Sequence, residues 1–302
     1  MGGSCGIIRI NKQGTFVTKR MEGVFLNHNL DIKAVFVDLD GTLLRGVDGI
    51  TARTARAFQE IKARGILPII ATGRPACESD FAIQAIGANR YLIVMNGLEI
   101  YEDYVSRRLL HESYMTAEQS DRIIPWLLEH ELFIEVYIGE QSYCQKDNHQ
   151  LIWECGMTSE QSRFFADIVD IKSDLMGFIH KNGLHVNKVL ISTANKERIP
   201  ALRRKMEEVP GIQTLSSGPH YIEVLPKGMD KGLAVEMVCA SAGWPRDQVM
   251  AIGDSENDIG MFQAAGLRVA MGNAYPELKA KADRIAPTCE EDGVAWALEN
   301  LL

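Results

Sequence analysis

The chain has little of what would mark it for several classes of work. Its six cysteines, Cys5, Cys77, Cys144, Cys155, Cys239 and Cys289, are scattered over 302 residues without a CxxC pair, which excludes a cysteine zinc site and a disulfide framework. The seven histidines show no metal-ligand spacing either. No run approaches the roughly 18 uninterrupted apolar residues of a membrane span, so no membrane partner is expected. An excess of basic charge is also missing: 32 Lys and Arg stand against 40 Asp and Glu, a formal net charge of -8. Nucleic-acid affinity is dominated by basic surface, and no nucleic-acid partner is expected. Internal repeats and low-complexity tracts are absent.

What is there is the composition of a soluble globular protein, 46% hydrophobic and 24% charged. The length suits one large domain or two ordinary ones. The opening MGGSCGIIRINKQGTFVTKRMEGVFLNHNL lacks the continuous apolar core and small-residue cleavage site of a secretory signal. Residues 1–31 therefore read as an N-terminal extension, expected to be flexible, with Met21 as an alternative start. A cytoplasmic address follows by default.

From residue 33 strands and helices alternate. KAVFVD has apolar residues on both faces and reads as a buried parallel strand. Thr51 caps a helix that Gly65 stops. ILPIIA (66–71) is a second buried strand, a helix covers about 76–86, and YLIVMN (91–96) is a third strand. This βαβαβ order implies a parallel sheet wrapped by helices. The pattern then changes. IEVYI (134–138) and VNKVLIST (186–193) alternate, with amphipathic helices near 117–129, 159–169 and 196–208. After HYIEVLP (220–226), a helix over 229–242 leads back to the buried strand VMAIGD (249–254). The expected fold is α/β, a Rossmann-like parallel sheet core with an inserted α+β cap domain. Residues 32–99 and 219–302 are assigned to the core and 100–218 to the cap, hinged near Asn96-Gly97-Leu98 and Ser217-Gly218-Pro219, where glycine absorbs a rotation.

The chemistry concentrates at strand ends. VFVDLDGTLL (35–44) closes a buried strand with two carboxylates, Asp38 and Asp40, two positions apart and so on one side of an extended chain. Like charges so placed repel unless something cationic lies between them. Thr72 and Gly73, Lys231, and Asp254 with Asn257 and Asp258 fall at other strand ends or the helix starts that follow. In open α/β sheets the ligand crevice lies outside the carboxyl ends of the strands. Asp38, Asp254 and a backbone carbonyl near Asp40 are hard oxygen ligands suited to Mg²⁺, and Asp258 is placed to hold one of its waters. With the metal present a carboxylate can approach a phosphate dianion, so Asp38 can act as nucleophile and form an aspartyl-phosphate. Thr72, Lys231 and Asn257 are suitable donors to phosphoryl oxygens. Asp40 can protonate the leaving oxygen and later take a proton from water. Each motif alone has an ordinary reading as a turn or a solvated helix start. The argument rests on their joint order.

The order DxDGT, TGR, Lys, GDSxND resembles the haloacid dehalogenase superfamily. The insert, preceded by NGLEI and followed by EVLPKGMDKG, resembles that of the Cof-type sugar phosphatases, subclass IIB. The resemblance spans about residues 33–302 and implies a phosphatase of small phosphorylated metabolites such as hexose phosphates, pyridoxal phosphate or flavin mononucleotide. It implies Asp38 as nucleophile, Asp40 as acid and base, Thr72, Gly73, Lys231 and Asn257 at the phosphate, and Asp38, Asp40, Asp254 and Asp258 around Mg²⁺. A phosphomutase of the same superfamily and a non-catalytic phosphate-sensing protein are the alternatives. Asn187 and Lys188 are candidate selectivity residues in the cap. Selectivity is alternatively assigned to the loops around Arg45 and Arg74.

Overall fold

Ala34–Val37 are four apolar residues in a row, and all four are fully buried. A strand with no polar face needs cover on both sides, which a parallel sheet between helices provides. The computed structural model describes residues 8–10, 16–18, 31–46, 49–216 and 220–302. The chain divides into two units, 1–30 and 31–302. In the first, Ile8–Ile10 and Phe16–Thr18 pair antiparallel. The rest of that segment, on which the expectation of flexibility falls, lies outside the described residues.

In the second unit Ala34–Val37 lies between Val249–Gly253 and Leu67–Ile70 in a five-stranded parallel sheet. Leu267–Ala270 and Arg284–Ile285 extend it on one side. On the other, Arg90–Val94 joins through a single parallel bridge between Ala71 and Ile93. That strand then pairs antiparallel with Glu99–Asp103, which pairs with Arg108–Glu112. Helix Ala52–Ala63 packs on the terminal helix Gly293–Leu301, and Lys231–Ala242 packs on Ile259–Ala264. Thr51 caps the first of these by accepting the Thr54 N–H. Asp230 caps the third by accepting from Leu233 at 2.8 Å, which fixes where Lys231 begins its helix.

A second, six-stranded sheet holds Phe133–Ile138, Lys188–Ser192 and Tyr221–Pro226 at its centre, paired antiparallel. Successive side chains of a strand point to opposite faces, and here the two faces differ in chemistry. Ile134, Val136, Val189, Ile191, Ile222 and Val224 pack against helices Ala117–Leu128, Leu175–Asn182 and Ile199–Glu207 in one apolar cluster. The alternate residues Tyr137, Leu190 and Leu225 join the cluster of the parallel sheet instead, and Glu135, Lys188 and Glu223 share their side of the strands.

Three expectations are corrected. The insert was expected to start at residue 100, but Glu99–Asp103 and Arg108–Glu112 form ladders leading back to Arg90–Val94, so this hairpin sits with the first sheet. Tyr221–Pro226 was assigned to the core, yet it is an inner strand of the inserted sheet. Sequence gives a strand its period but not its partner. The helix expected over 76–86 starts only at Asp80, because Ala76–Ser79 forms an irregular turn closed by Ser79 on the Ala76 and Pro75 carbonyls. Of the two joints, Ser217-Gly218-Pro219 lies outside the described residues. At the other, Asn96 and Gly97 both have left-handed backbone, with φ of 57° and 95°.

A side chain at Gly97 would bring its Cβ to 2.8 Å from both the Ala234 Cβ and the Asp230 carbonyl oxygen. Gly97→Ala should therefore cost about 1–3 kcal/mol from backbone strain with added crowding. Gly183→Ala, also at positive φ but with open space around it, should cost less. Thermal melts of the two variants check the ranking, and equal midpoints would contradict it.

Candidate active site

Lys231 is the centre of the charged cluster. It is 0% exposed, and its Nζ donates to Asp38 Oδ1 at 2.5 Å and to Asp258 Oδ1 at 2.7 Å. Burial works against its charge, but Asp258 and Asp38 more than offset this and raise its pKa. Asp38 stands one residue past the strand Ala34–Val37, its N–H bonded to the Ile252 carbonyl of the neighbouring strand. The chain then turns at Gly41, whose φ is +75°. Any Cβ there would lie 2.5 Å from Asp254 Oδ2, so glycine lets the turn pass against the second acid. Thr42 Oγ1 donates to Asp254 Oδ1 at 2.8 Å.

Asp38, Asp254 and Asp258 each offer an oxygen within 4.8 Å of the others. With all three ionised, three carboxylates against one ammonium leave two negative charges, which one divalent cation would balance. Burial first, and then the Asp258 charge, push Asp254 up to about 7. Burial raises Asp38 well above the usual carboxylate range; Lys231 opposes this, and Asp258, Asp254 and Asp40 add to it. Such a cluster lacks positive charge, and its all-oxygen donors fit a hard cation such as Mg²⁺. Both oxygens of Asp258 are already engaged, Oδ1 by Lys231 and Oδ2 by the N–H groups of Asp254 and Ser255. Asp258 thus also holds the loop and the lysine in register.

The carboxylate of Asp40 points elsewhere. It is half exposed and receives Arg74 Nε at 2.9 Å and Nη2 at 2.6 Å in a bidentate pair. Of its expected roles at a metal, the backbone one is unaffected by this pairing. Thr72 is fully buried, and its Oγ1 accepts the Arg74 N–H at 3.1 Å, which tightens the turn. Gly73 lines a cavity of about 110 Å³ together with Asp38, Asp40, Arg74, Ser255 and Asn257. Thr72 and Lys231 stand behind that lining.

The inserted sheet supplies the opposite wall through Tyr137, Lys188, Leu190, Tyr221 and Glu223, with Gln161 and Phe165 from helix Ser159–Ile168. Lys188 is 2% exposed; its Nζ donates to the Gly73 carbonyl and to Glu223 Oε1 at 2.8 Å, and lies 4.5 Å from the centre of the Tyr137 ring. Glu223 Oε2 accepts from Asn96 Nδ2, Asn96 Oδ1 accepts from Asn257 Nδ2 at 3.0 Å, and Asn257 Oδ1 accepts from Ser255 Oγ. A continuous polar chain therefore runs from the inserted sheet through the joint to the last motif. Of the two selectivity candidates, Lys188 faces the cavity, whereas Asn187 braces two loops by accepting the Gly139 N–H and donating to the Ser113 carbonyl. Arg45 faces Cys289, Glu290 and Asp292 instead. Arg74 as the partner of Asp40, and the contacts of Asn96 and Glu223, lie beyond what the sequence shows. The arginine of TGR was visible, but its reach across 34 residues to Asp40 was not.

The sequence profile of the haloacid dehalogenase-like hydrolases matches residues 35–298. Two Bacillus subtilis proteins, the 5-amino-6-(5-phospho-D-ribitylamino)uracil phosphatases YwtE and YcsE, are 29% and 30% identical over 292 and 275 residues. The alignments cover 90% of this chain in both cases, and 98% and 96% of those proteins. A haloacid dehalogenase-like hydrolase from Bacteroides thetaiotaomicron, 27% identical, superposes with a TM-score of 0.76 over 90% of this chain and 100% of its own.

The raised Asp254 gives a pH dependence of two opposite signs. Without metal, a carboxyl whose pKa is about 7 in the fold against 3.8 outside it makes the fold less stable as pH rises through that interval. With Mg²⁺, the ion needs the ionised form, so its stabilising effect should grow over the same rise and weaken about tenfold in affinity per unit below about pH 7. Melting midpoints with and without Mg²⁺ across this range test it. A Mg²⁺ effect independent of pH would contradict the assignment.

Proposed function

The chain belongs to the haloacid dehalogenase-like hydrolases, and on that premise we propose that it is a Cof-type, Mg²⁺-dependent phosphatase of small phosphorylated metabolites that works through an aspartyl-phosphate. The observation that carries this reading is the buried trio Asp38, Asp254 and Asp258 around Lys231 at the carboxyl ends of the parallel strands. Mg²⁺ bound there would supply the positive charge that lets a phosphate dianion approach these carboxylates.

The protein's own groups then divide the work. Lys231 holds Asp38 in one orientation by its bond to Oδ1. The other oxygen of Asp38 attacks phosphorus, and the bond to the leaving oxygen breaks. Asp40 delivers a proton to that oxygen and later takes one from the water that attacks the acyl phosphate, which regenerates Asp38 and releases phosphate. Since Arg74 holds both oxygens of Asp40, the guanidinium has to yield one of them when Asp40 exchanges a proton. The Gly73 backbone and Asn257 line the same cavity as Asp38, where N–H donors would favour the charge that builds on the oxygens of the transferring group. The inserted sheet closes the other side and carries the contacts to the leaving group. Two relatives act on 5-amino-6-(5-phospho-D-ribitylamino)uracil, which makes that compound a first substrate to assay, with sugar phosphates beside it.

Aryl phosphate hydrolysis should require Mg²⁺ and vanish in excess chelator. Asp38→Asn should abolish turnover, since an amide is a poor nucleophile, and should leave no labelled phosphoenzyme. Asp40→Asn should lose about 10²–10⁴-fold in kcat, less when the leaving group is good. Steady-state rates with acid-quench trapping of phosphoenzyme check all three. Near-normal rates in Asp38→Asn would refute the assigned nucleophile.

A further inference from the structure

Glu78 is an acidic residue of the cavity lining that the chemistry above does not use. It lies in the irregular turn Ala76–Ser79 that follows Gly73 and Arg74, so it is tied by a few residues to the phosphate end of the cavity. It is 3% exposed, it lines the cavity, and among the described residues neither carboxyl oxygen has a hydrogen-bond partner. An unpaired buried carboxyl is costly and uncommon.

The charges around it are accounted for. Arg74 is paired with Asp40 through two hydrogen bonds, and Lys188 is paired with Glu223. Glu135 on the opposing sheet accepts the Tyr137 hydroxyl at Oε2, and its Oε1 has no hydrogen-bond partner among the described residues. Burial, then the like charge of Glu135, push the Glu78 carboxyl well above its usual range, while Arg74 and Lys188 pull only part of the way back. The remaining walls beside it are Leu190, Phe165, Tyr221 and Gln161, and the Gln161 carbonyl already accepts from Thr158 and Tyr221.

We propose that Glu78 selects the substrate by accepting hydrogen bonds from O–H or N–H groups on the leaving-group side. Preferred substrates are then phosphomonoesters of polyols or amino-bearing alcohols, and esters whose far end is a carboxylate are disfavoured. The proposal rests on the phosphatase reading for its assay but concerns a different end of the cavity. Glu78 is a specificity residue here, since Asp38 and Asp40 carry the chemistry. A donor-bearing ligand satisfies the two empty oxygens, whereas a carboxylate on the ligand has no hydrogen to give them and sets acceptors against acceptors in a buried space.

The test compares glucitol 6-phosphate with 6-phosphogluconate, which differ at the far carbon as alcohol and acid, and uses 4-nitrophenyl phosphate as a donor-free control. The Mg²⁺-loaded wild type should favour the polyol ester over the acid by at least about tenfold in kcat/KM. Glu78→Met, apolar and of similar length, should bring this ratio near one by lowering the polyol value about 10–100-fold, with the aryl phosphate within about threefold. Glu78→Gln, which keeps one acceptor, should fall between. The melting midpoint of Glu78→Met should equal or exceed that of the wild type, because the variant removes an unpaired buried carboxyl. An unchanged ratio, a wild-type preference for the acid, or an equal loss on all three esters with a lowered midpoint would overturn the proposal. If the wild type hydrolyses no ester at all, the phosphatase reading fails on its own, and calorimetry decides this one: glucitol 6-phosphate should bind Glu78→Met at least about tenfold more weakly than the wild type, and equal affinity would overturn it.

Discussion

One ammonium group sits where two buried carboxylates need it. Lys231 bridges Asp38 from the first strand and Asp258 from the last motif, segments 193 and 27 residues away from it. Removing water from three charges is expensive, and the attraction between them offsets that only when the geometry is good. Much of the surrounding structure serves that geometry. Asp230 starts the lysine's helix, parallel pairing sets Asp38 beside Val249–Gly253, and two backbone N–H groups fix the second oxygen of Asp258. The cluster still carries excess negative charge, and this couples the site to a cation and to pH.

The second sheet answers a different requirement. It closes the cavity without contributing to the acidic cluster, and it reaches the first sheet's motifs through the buried pair Lys188 and Glu223. Lys188 touches the Gly73 carbonyl and Glu223 touches Asn96, which in turn holds Asn257. The joint between the sheets is thus part of the site's hydrogen bonding, and the left-handed residues there are fixed by contacts on both sides.

The sequence was informative where chemistry and period coincide. Asp38, Gly73, Lys231, Asp254 and Asn257 were legible because buried strands ending in polar residues are rare and several occurred in order. The parallel core was legible from runs apolar on both faces. Pairing partners were not: Glu99–Asp103 and Tyr221–Pro226 look alike as strands, and only the ladder tells which sheet each joins. The turn at Ala76–Ser79 read as helix because its composition is helical, while the hydrogen bonds that Ser79 donates back to the Pro75 and Ala76 carbonyls depend on three-dimensional closure. Arg74, Asn96 and Glu223 became visible only when distant segments met, since nothing local in TGR, NGLEI or YIEVLP announces a partner.

The alternation along the central strands of the second sheet has a further meaning for how such a protein can change over generations. Ile134, Val136, Val189, Ile191, Ile222 and Val224 carry the packing, while Tyr137, Lys188, Leu190, Tyr221 and Glu223, interleaved with them, line the cavity. A single-base change at Tyr137, Leu190 or Tyr221 alters what the cavity meets and leaves the packing cluster on the other face untouched. Lineages can therefore alter what the cavity meets one substitution at a time while keeping the helix-facing cluster, at a cost confined to the contacts these residues make with the cluster of the parallel sheet. An insertion or deletion of one residue within these strands has the opposite effect, since it exchanges the two faces and forfeits both at once. Drift in this sheet should therefore run through substitutions, and length variation should collect in the loops between its strands.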